Sequence, residues 1–230
     1  MDIRDNLNRV RERIEKAATQ AGRDPRTVKL VVVSKTVEIE RIREAIKAGA
    51  AILGENYVQE ARDKVGRLGR EVAWHFIGHL QTNKVKYAAD IFDMVHSVDR
   101  IELGREIDRV ARNKERVMPV LVQVNISGEE TKHGIDKAGL IHLISEMVTL
   151  KNISLRGLMT MPPYFDDPEM ARPYFRVLRK LKEEMQERFG GDIDLVELSM
   201  GMSNDFEAAV QEGATLVRVG TAIFGERART

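Results

Sequence analysis

Three groups of residues in this chain have types and spacings suited to chemistry. Lys35 ends the run Val31-Val32-Val33-Ser34. A lysine flanked by apolar walls loses hydration that favours its ammonium form, which makes its amine available for condensation with a carbonyl. A lysine that merely reaches solvent from a strand end is the other reading of that position. The second group occupies two glycine-containing turns, SMGMSND at 199–205 and RVGTAIFG at 218–225. Gly201 and Gly220 permit close backbone approach, and Ser199, Ser203 and Thr221 supply hydroxyls. Small residues, hydroxyls and backbone N–H groups at the start of a helix are what a phosphate requires. One such turn is ordinary; two at successive strand ends point to an anion. The third group is Arg218, set inside the short apolar strand L-V-R-V. An arginine there needs an acceptor, which a carboxylate on another strand, an aromatic nitrogen or an acidic ligand group would each provide.

These residues need elements that bring them together. Ile3, Leu7, Val10, Ile14 and Ala17 make an apolar helical stripe, with Gly22 and Pro25 marking its end. Short β-rich runs are then predicted at 28–34, 51–54, 73–77, 94–98, 118–124, 153–159, 195–199 and 216–219. Helices are predicted between them near 39–48, 57–67, 82–89, 100–114, 137–149, 168–189 and 204–211. Regular alternation of this kind implies βαβ units and a parallel sheet. Eight units over 230 residues predict an α/β fold, a single (β/α)8 TIM-type barrel domain spanning 1–230. The extra N-terminal helix would fill the place of an eighth outer helix. An open doubly wound sheet ranks second, because VVVSKTVEIER has no glycine where its fingerprint belongs.

Barrels of this class carry function at the C-terminal ends of their strands, and phosphate after the seventh and eighth. That rule sets Lys35 and both glycine turns at one mouth. Other polar strand ends are Glu55-Asn56, His75, His79 and Asn125, with Lys132 in the loop beyond Asn125, and Met159 and Met161 close the sixth strand. No carboxylates at ligand spacing accompany His75 and His79, so no metal site is expected. Asp166-Asp167 before Pro168 reads as a helix cap.

Composition narrows the partners. Lys plus Arg is 37 and Asp plus Glu 36, a net charge of +1, which gives no reason to expect nucleic acid or an acidic membrane as the main partner. The absence of cysteine excludes disulfide and thiolate chemistry. Apolar runs are too short to span a bilayer and the N-terminus is too charged for a signal peptide, so a soluble cytoplasmic protein is expected. Mixed charge on the helical faces predicts a monomer.

Taken together, VVVSKT, GENYVQE, WHFIGHLQTNK, TKHG, GLMTM, LSMGMSND and VRVGTAIFG resemble the pyridoxal phosphate homeostasis protein family, in order along nearly the whole chain. The resemblance implies a barrel similar to the N-terminal domain of alanine racemase, the fold type III of pyridoxal phosphate enzymes. It implies pyridoxal 5′-phosphate held as an internal aldimine on Lys35. Ser199, Gly220 and Thr221 would hold the phosphate, with backbone help near Gly201 and Met202. Arg218 would face the pyridine nitrogen and keep it unprotonated, and Asn56, His79 and Met159 would lie around the cofactor. Lys132 matches a lysine associated with cofactor exchange. The implied role is vitamin B6 homeostasis, supplying or buffering the cofactor, with pyridoxal phosphate-dependent apo-enzymes as possible recipients. A racemase-type enzyme also needs a tyrosine from a second, β-rich domain. The sequence ends at Thr230, about ten residues past the last predicted strand, so that domain is not expected and Tyr57 is the one candidate substitute. A carrier without robust catalysis is therefore favoured over two alternatives, an amino-acid racemase or decarboxylase and a Schiff-base aldolase acting on a sugar phosphate.

Overall fold

Eight parallel strands close into a barrel in chain order. In the computed structural model, which describes residues 2–129 and 131–226, they are β1 (Lys29–Val33), β2 (Ile52–Glu55), β3 (Ala73–Phe76), β4 (Met94–Val98), β5 (Met118–Gln123), β6 (Ile153–Met159), β7 (Glu197–Ser199) and β8 (Leu216–Val219). The ring is shut by β1 against β8, from Lys29 opposite Leu216 to Val32 opposite Val219. An open sheet would leave both of those edges unpaired, so the doubly wound alternative is excluded.

The helices are α1 (Ile3–Gln20), α2 (Ile39–Lys47), α3 (Val58–Leu68), α4 (Val85–Ile91), α5 (Ile101–Asn113), α6 (Lys137–Met147), α7 (Arg172–Phe189), α8 (Phe206–Gln211) and α9 (Thr221–Phe224). Asp2 caps α1 by accepting from the Arg4 amide at 2.8 Å. The buried stripe Ile3, Leu7, Val10, Ile14 and Ala17 packs α1 against α2, α8 and α9, which is the place in the outer ring expected for it. Asn6, buried on the same face, donates to the Ile223 carbonyl at 2.8 Å and ties α1 to α9.

Differences from the expected elements have local causes. The helices foreseen near 82 and 168 open with 3-10 turns, Thr82–Lys84 and Pro168–Ala171. Asp167 caps the second, accepting from the Glu169 amide at 3.0 Å. The seventh strand is shorter than predicted because the Leu195 amide donates to Gln186 Oε1 at 2.8 Å and not to the ladder. The short α9 lies inside RVGTAIFG, a segment read from sequence as a turn.

Strand side chains alternate between the barrel interior and the helix layer. Val31, Leu121, Met159 and Leu216 form an inner apolar cluster with Ile52 and Met94. At the N-terminal end Lys29 Nζ pairs with Glu197 Oε1 at 2.6 Å. Gly157 lets β6 and β7 meet, since a Cβ there would lie 1.9 Å from the Glu197 carbonyl oxygen. Among the described residues, no helix is long and apolar enough to cross a membrane.

Candidate functional site

The period of two that puts Val31 inside the barrel carries Val33 and then Lys35 to its C-terminal mouth. There Lys35 lines a cavity of about 270 Å³ together with Val33, Asn56, Arg218, Gly220 and Thr221. Pockets for small ligands run from roughly 300 Å³ upward, so this one suits a compact molecule. The turn after β7 completes the wall with Met202, Ser203, Asn204 and Asp205, and the loop after β6 with Met161, Tyr164 and Phe165. A lysine, an arginine and two glycine turns, far apart in sequence, thus face one space.

The turns are shaped for close approach. Gly201 has φ +90°, and a Cβ there would lie 2.5 Å from Ala209 Cβ and 2.9 Å from Phe206 Cα, so α8 packs directly on the turn. Asp205 Oδ1 accepts from the Met202 amide at 2.6 Å, and its burial raises its pKa. The Gly220 and Ala222 amides both point at Ser203 Oγ, each at 3.3 Å. These two backbone donors converge on one oxygen at the cavity wall, an arrangement that a phosphate oxygen can also satisfy.

Arg218 is 3% exposed. Its Nη1 donates to Ser199 Oγ at 2.6 Å and its Nη2 to the Thr160 carbonyl at 2.9 Å. Neither acceptor is the strand carboxylate considered from sequence. Burial lowers its pKa to about 10, with Asp205 opposing the shift, so the guanidinium stays charged. Ser199 Oγ is also 2.9 Å from His96 Nδ1, and His96 Nε2 is 2.9 Å from His75 Nδ1. Both imidazoles are buried. Desolvation holds His75 down to about 4 and His96 well below its ordinary value. Both are neutral at pH 7, and the direction of the chain follows from assigning protons to satisfy every partner. Arg218 donates to Ser199, Ser199 to His96 and His96 to His75.

The residues expected at the site fall in different places. Ser199, expected on a phosphate, is fully buried, and its hydroxyl accepts from the arginine and donates to His96. Ser203 holds the corresponding place on the cavity wall. Met159 is also fully buried, within the apolar cluster beneath the mouth, and Met161 takes its place on the wall. Gly201 and Met202 belong to the turn as expected, with Met202 on the wall itself. Lys132 faces Glu129 Oε1 at 3.2 Å in the loop after β5 and lines neither mouth cavity.

Asn56 and His79 line a second, adjoining cavity of about 540 Å³, which shares Asn56, Ile77 and Met161 with the first. Tyr57 lies in this second cavity, whereas Tyr164 shares the space of Lys35. The fold also assembles a cluster that the sequence concealed: His79, Asp99 and His133 offer ligand atoms within 4.8 Å of one another. The imidazole rings of His79 and His133 stack with centroids 3.9 Å apart and planes at 16°. Stacked this way, the two rings lie in nearly parallel planes. His75 takes no part, being committed to His96. Ser203 and Met161 are among the strand-end residues the sequence singles out; His96 and Tyr164 are not, and of these two His96 carries a usable signal, a histidine inside the apolar strand MVHSV.

The chain matches the alanine racemase N-terminal domain family over residues 6–228. It is 48% identical over 228 residues to the pyridoxal phosphate homeostasis protein of Aquifex aeolicus, covering 99% of each chain. It is 42% identical over 236 residues to the protein of that name from Escherichia coli K12, covering 98% of this chain and 97% of the other. PipY of Synechococcus elongatus, solved with PLP bound, superposes with a TM-score of 0.82 at 37% identity, over 93% of this chain and 100% of that one. Alanine racemase of Clostridium difficile superposes with a TM-score of 0.75 at 17% identity, over 98% of this chain and 57% of that one, a likeness of fold.

Proposed function

Because this chain belongs to the pyridoxal phosphate homeostasis protein family, we propose that it binds pyridoxal 5′-phosphate covalently through Lys35 and keeps the cofactor in reserve for other proteins. The observation that carries this reading is one cavity lined at once by Lys35, Arg218, Gly220 and Thr221. When bound, the cofactor supplies an aldehyde that condenses with primary amines and a pyridine ring conjugated to the product. The chain's own residues set what that chemistry can do. Lys35 provides the amine. The amides of Gly220 and Ala222, with Ser203 and Thr221, provide the anion cradle. Arg218, held in place by Ser199 and Thr160, disfavours a second positive charge on a ring nitrogen beside it. A ring left unprotonated is a weak electron sink, which suits storage better than turnover.

The lining supports the carrier reading over a racemase or decarboxylase. Apart from Lys35 and Arg218, the titratable groups among the described lining residues of this cavity are Asp205, tied to the Met202 amide, and Tyr164, which is 75% exposed. Neither is held as a partner acid or base. The rim carries Tyr57, Tyr87, Met161 and Tyr164 as exposed large side chains, a surface on which an acceptor protein can rest during hand-over. Lys132, paired with Glu129 on the loop after β5, would take part in cofactor exchange only by leaving that pair and swinging toward the mouth. We take the working form to be a monomer in the cytoplasm, in keeping with the mixed charge of the outer helices.

The test is spectroscopic. Protein mixed with pyridoxal 5′-phosphate is expected to turn yellow, lose the colour with borohydride and carry the reduced adduct on Lys35 by mass spectrometry. Lys35→Ala is expected to stay colourless, with more than about 90% of the adduct lost, since Lys35 is the one lysine among the described residues lining its cavity. A wild-type protein that stays colourless would favour a sugar-phosphate aldolase. Turnover of amino acids at ordinary enzyme rates would favour the racemase.

A further inference from the structure

Behind Lys35 lies a buried ionic cluster that the cofactor cavity does not include. Lys64, on the inner face of α3, is 5% exposed, and Glu55, at the end of β2, is fully buried. The Lys64 ammonium has three hydrogens and three acceptors: the Ser34 carbonyl at 2.6 Å, Glu55 Oε1 at 2.8 Å and Glu60 Oε1 at 2.6 Å. Glu55 Oε1 also accepts from Ser34 Oγ at 2.7 Å. Glu60 Oε1 accepts from the Thr36 amide at 2.5 Å. The cluster therefore grips the backbone on both sides of Lys35, through Ser34 and through Thr36.

The grip acts where the chain resists its conformation. Thr36 has φ +57°, a left-handed backbone that a β-branched residue rarely adopts. Such conformations persist only where the surroundings over-determine them. A fully buried Glu55 paired with a buried Lys64, beside a half-buried Glu60, is likewise an expensive arrangement for stability alone, because an apolar replacement would avoid the desolvation of the buried pair. Both features are accounted for by one role, the aiming of the residue between them.

We propose that Lys64, Glu55 and Glu60 are positioning residues for Lys35, forming a clamp that holds the Ser34–Thr36 turn so that the Lys35 amine enters the cavity. The role rests on the Lys35 reading above. It predicts a selective defect, since the clamp touches none of the phosphate cradle. Full-length wild type and Lys64→Met are titrated with pyridoxal 5′-phosphate by visible absorbance. They are also titrated by calorimetry with pyridoxine 5′-phosphate, which keeps the ring and phosphate but has an alcohol in place of the aldehyde.

Lys64→Met is expected to lose at least about tenfold in apparent affinity for the aldehyde, because small misplacement of a reacting group is costly, and less than about twofold for the alcohol. The rate of colour formation should fall in parallel. Equal loss for both compounds would reduce the cluster to a structural support and overturn the proposal, as would no loss for either. Should Lys64→Met fail to fold, Glu60→Gln decides the matter: a smaller loss confined to the aldehyde upholds the clamp, and an unselective or absent loss removes it. A wild type that yields no Lys35 adduct removes both the clamp and the reading beneath it, whereas a wild type with the adduct and an unselective Lys64 defect removes the clamp alone.

Discussion

Arg218 shows how a single charge is fixed inside a barrel. Its Nη1 and Nη2 donors end on Ser199 Oγ and the Thr160 carbonyl, and the serine passes the direction on to His96 and His75. Each member needs the next, because a buried donor or acceptor left unpaired costs its full desolvation. Replacing Ser199 by Ala strips an acceptor from the arginine and a donor from His96 at once. Ser199→Ala is expected to lower stability by about 2–6 kcal/mol in urea unfolding, at roughly 1–3 kcal/mol for each of the two groups left unpaired. A change under about 0.5 kcal/mol, as for an unconstrained surface position, would show that the chain does not hold the arginine.

At the scale of elements, the mouth depends on how β7 hands the chain to α8. Gly201 makes the turn in a left-handed conformation with α8 pressed against it, and it accepts the Arg218 amide on its carbonyl at 3.0 Å. Gly201→Ala combines an unfavourable φ with a Cβ inside van der Waals distance of Ala209 and Phe206. The expected cost is about 2–4 kcal/mol, the sum of backbone strain and overpacking. Because the turn also carries Met202 and Ser203, affinity for pyridoxine 5′-phosphate should fall by about tenfold or more if the cradle shifts by as little as an ångström. Stability and ligand affinity measured on one sample would test both; a variant stable as wild type would contradict the packing argument.

The whole molecule answers to pH through its buried histidines. His75, held at about 4 against an ordinary value of 6.5, and His96, held well below that ordinary value by burial, remain neutral in the folded barrel while the unfolded chain protonates them. Between the two values the unfolded state binds more protons, so stability is full above about pH 6.5 and falls as the pH drops toward 4. Each histidine is expected to contribute a slope of about 1.4 kcal/mol per pH unit in that window. Glu55 and Asp205, raised by burial, act in the opposite sense where they titrate, so the histidine share is read from a difference. The unfolding free energy of His75→Gln, from urea titrations between pH 6.5 and 5, should fall less steeply than that of wild type by about one such slope. Parallel profiles would mean that His75 is not kept neutral by the fold.

How much of this was legible beforehand depends on the range of the interaction. Strand and helix periodicity is local, so β4, β6 and β8 fall at 94–98, 153–159 and 216–219 as the pattern predicts, and eight βα units imply a closed ring. Lys35, Arg218 and the two glycine turns also stood out, because a cation in an apolar strand and glycines at strand ends conflict with local preference. What sequence could not decide was which of two neighbouring residues faces the cavity. Ser199 against Ser203 and Met159 against Met161 differ by turn geometry and by depth in the barrel, and strand periodicity alone does not resolve them. Nor could it reveal Lys64 gripping Ser34, or His79, Asp99 and His133 drawn together from three loops. Those contacts are set by closure of the ring, which brings distant strands to fixed separations and then selects, for each buried polar group, the one partner within reach.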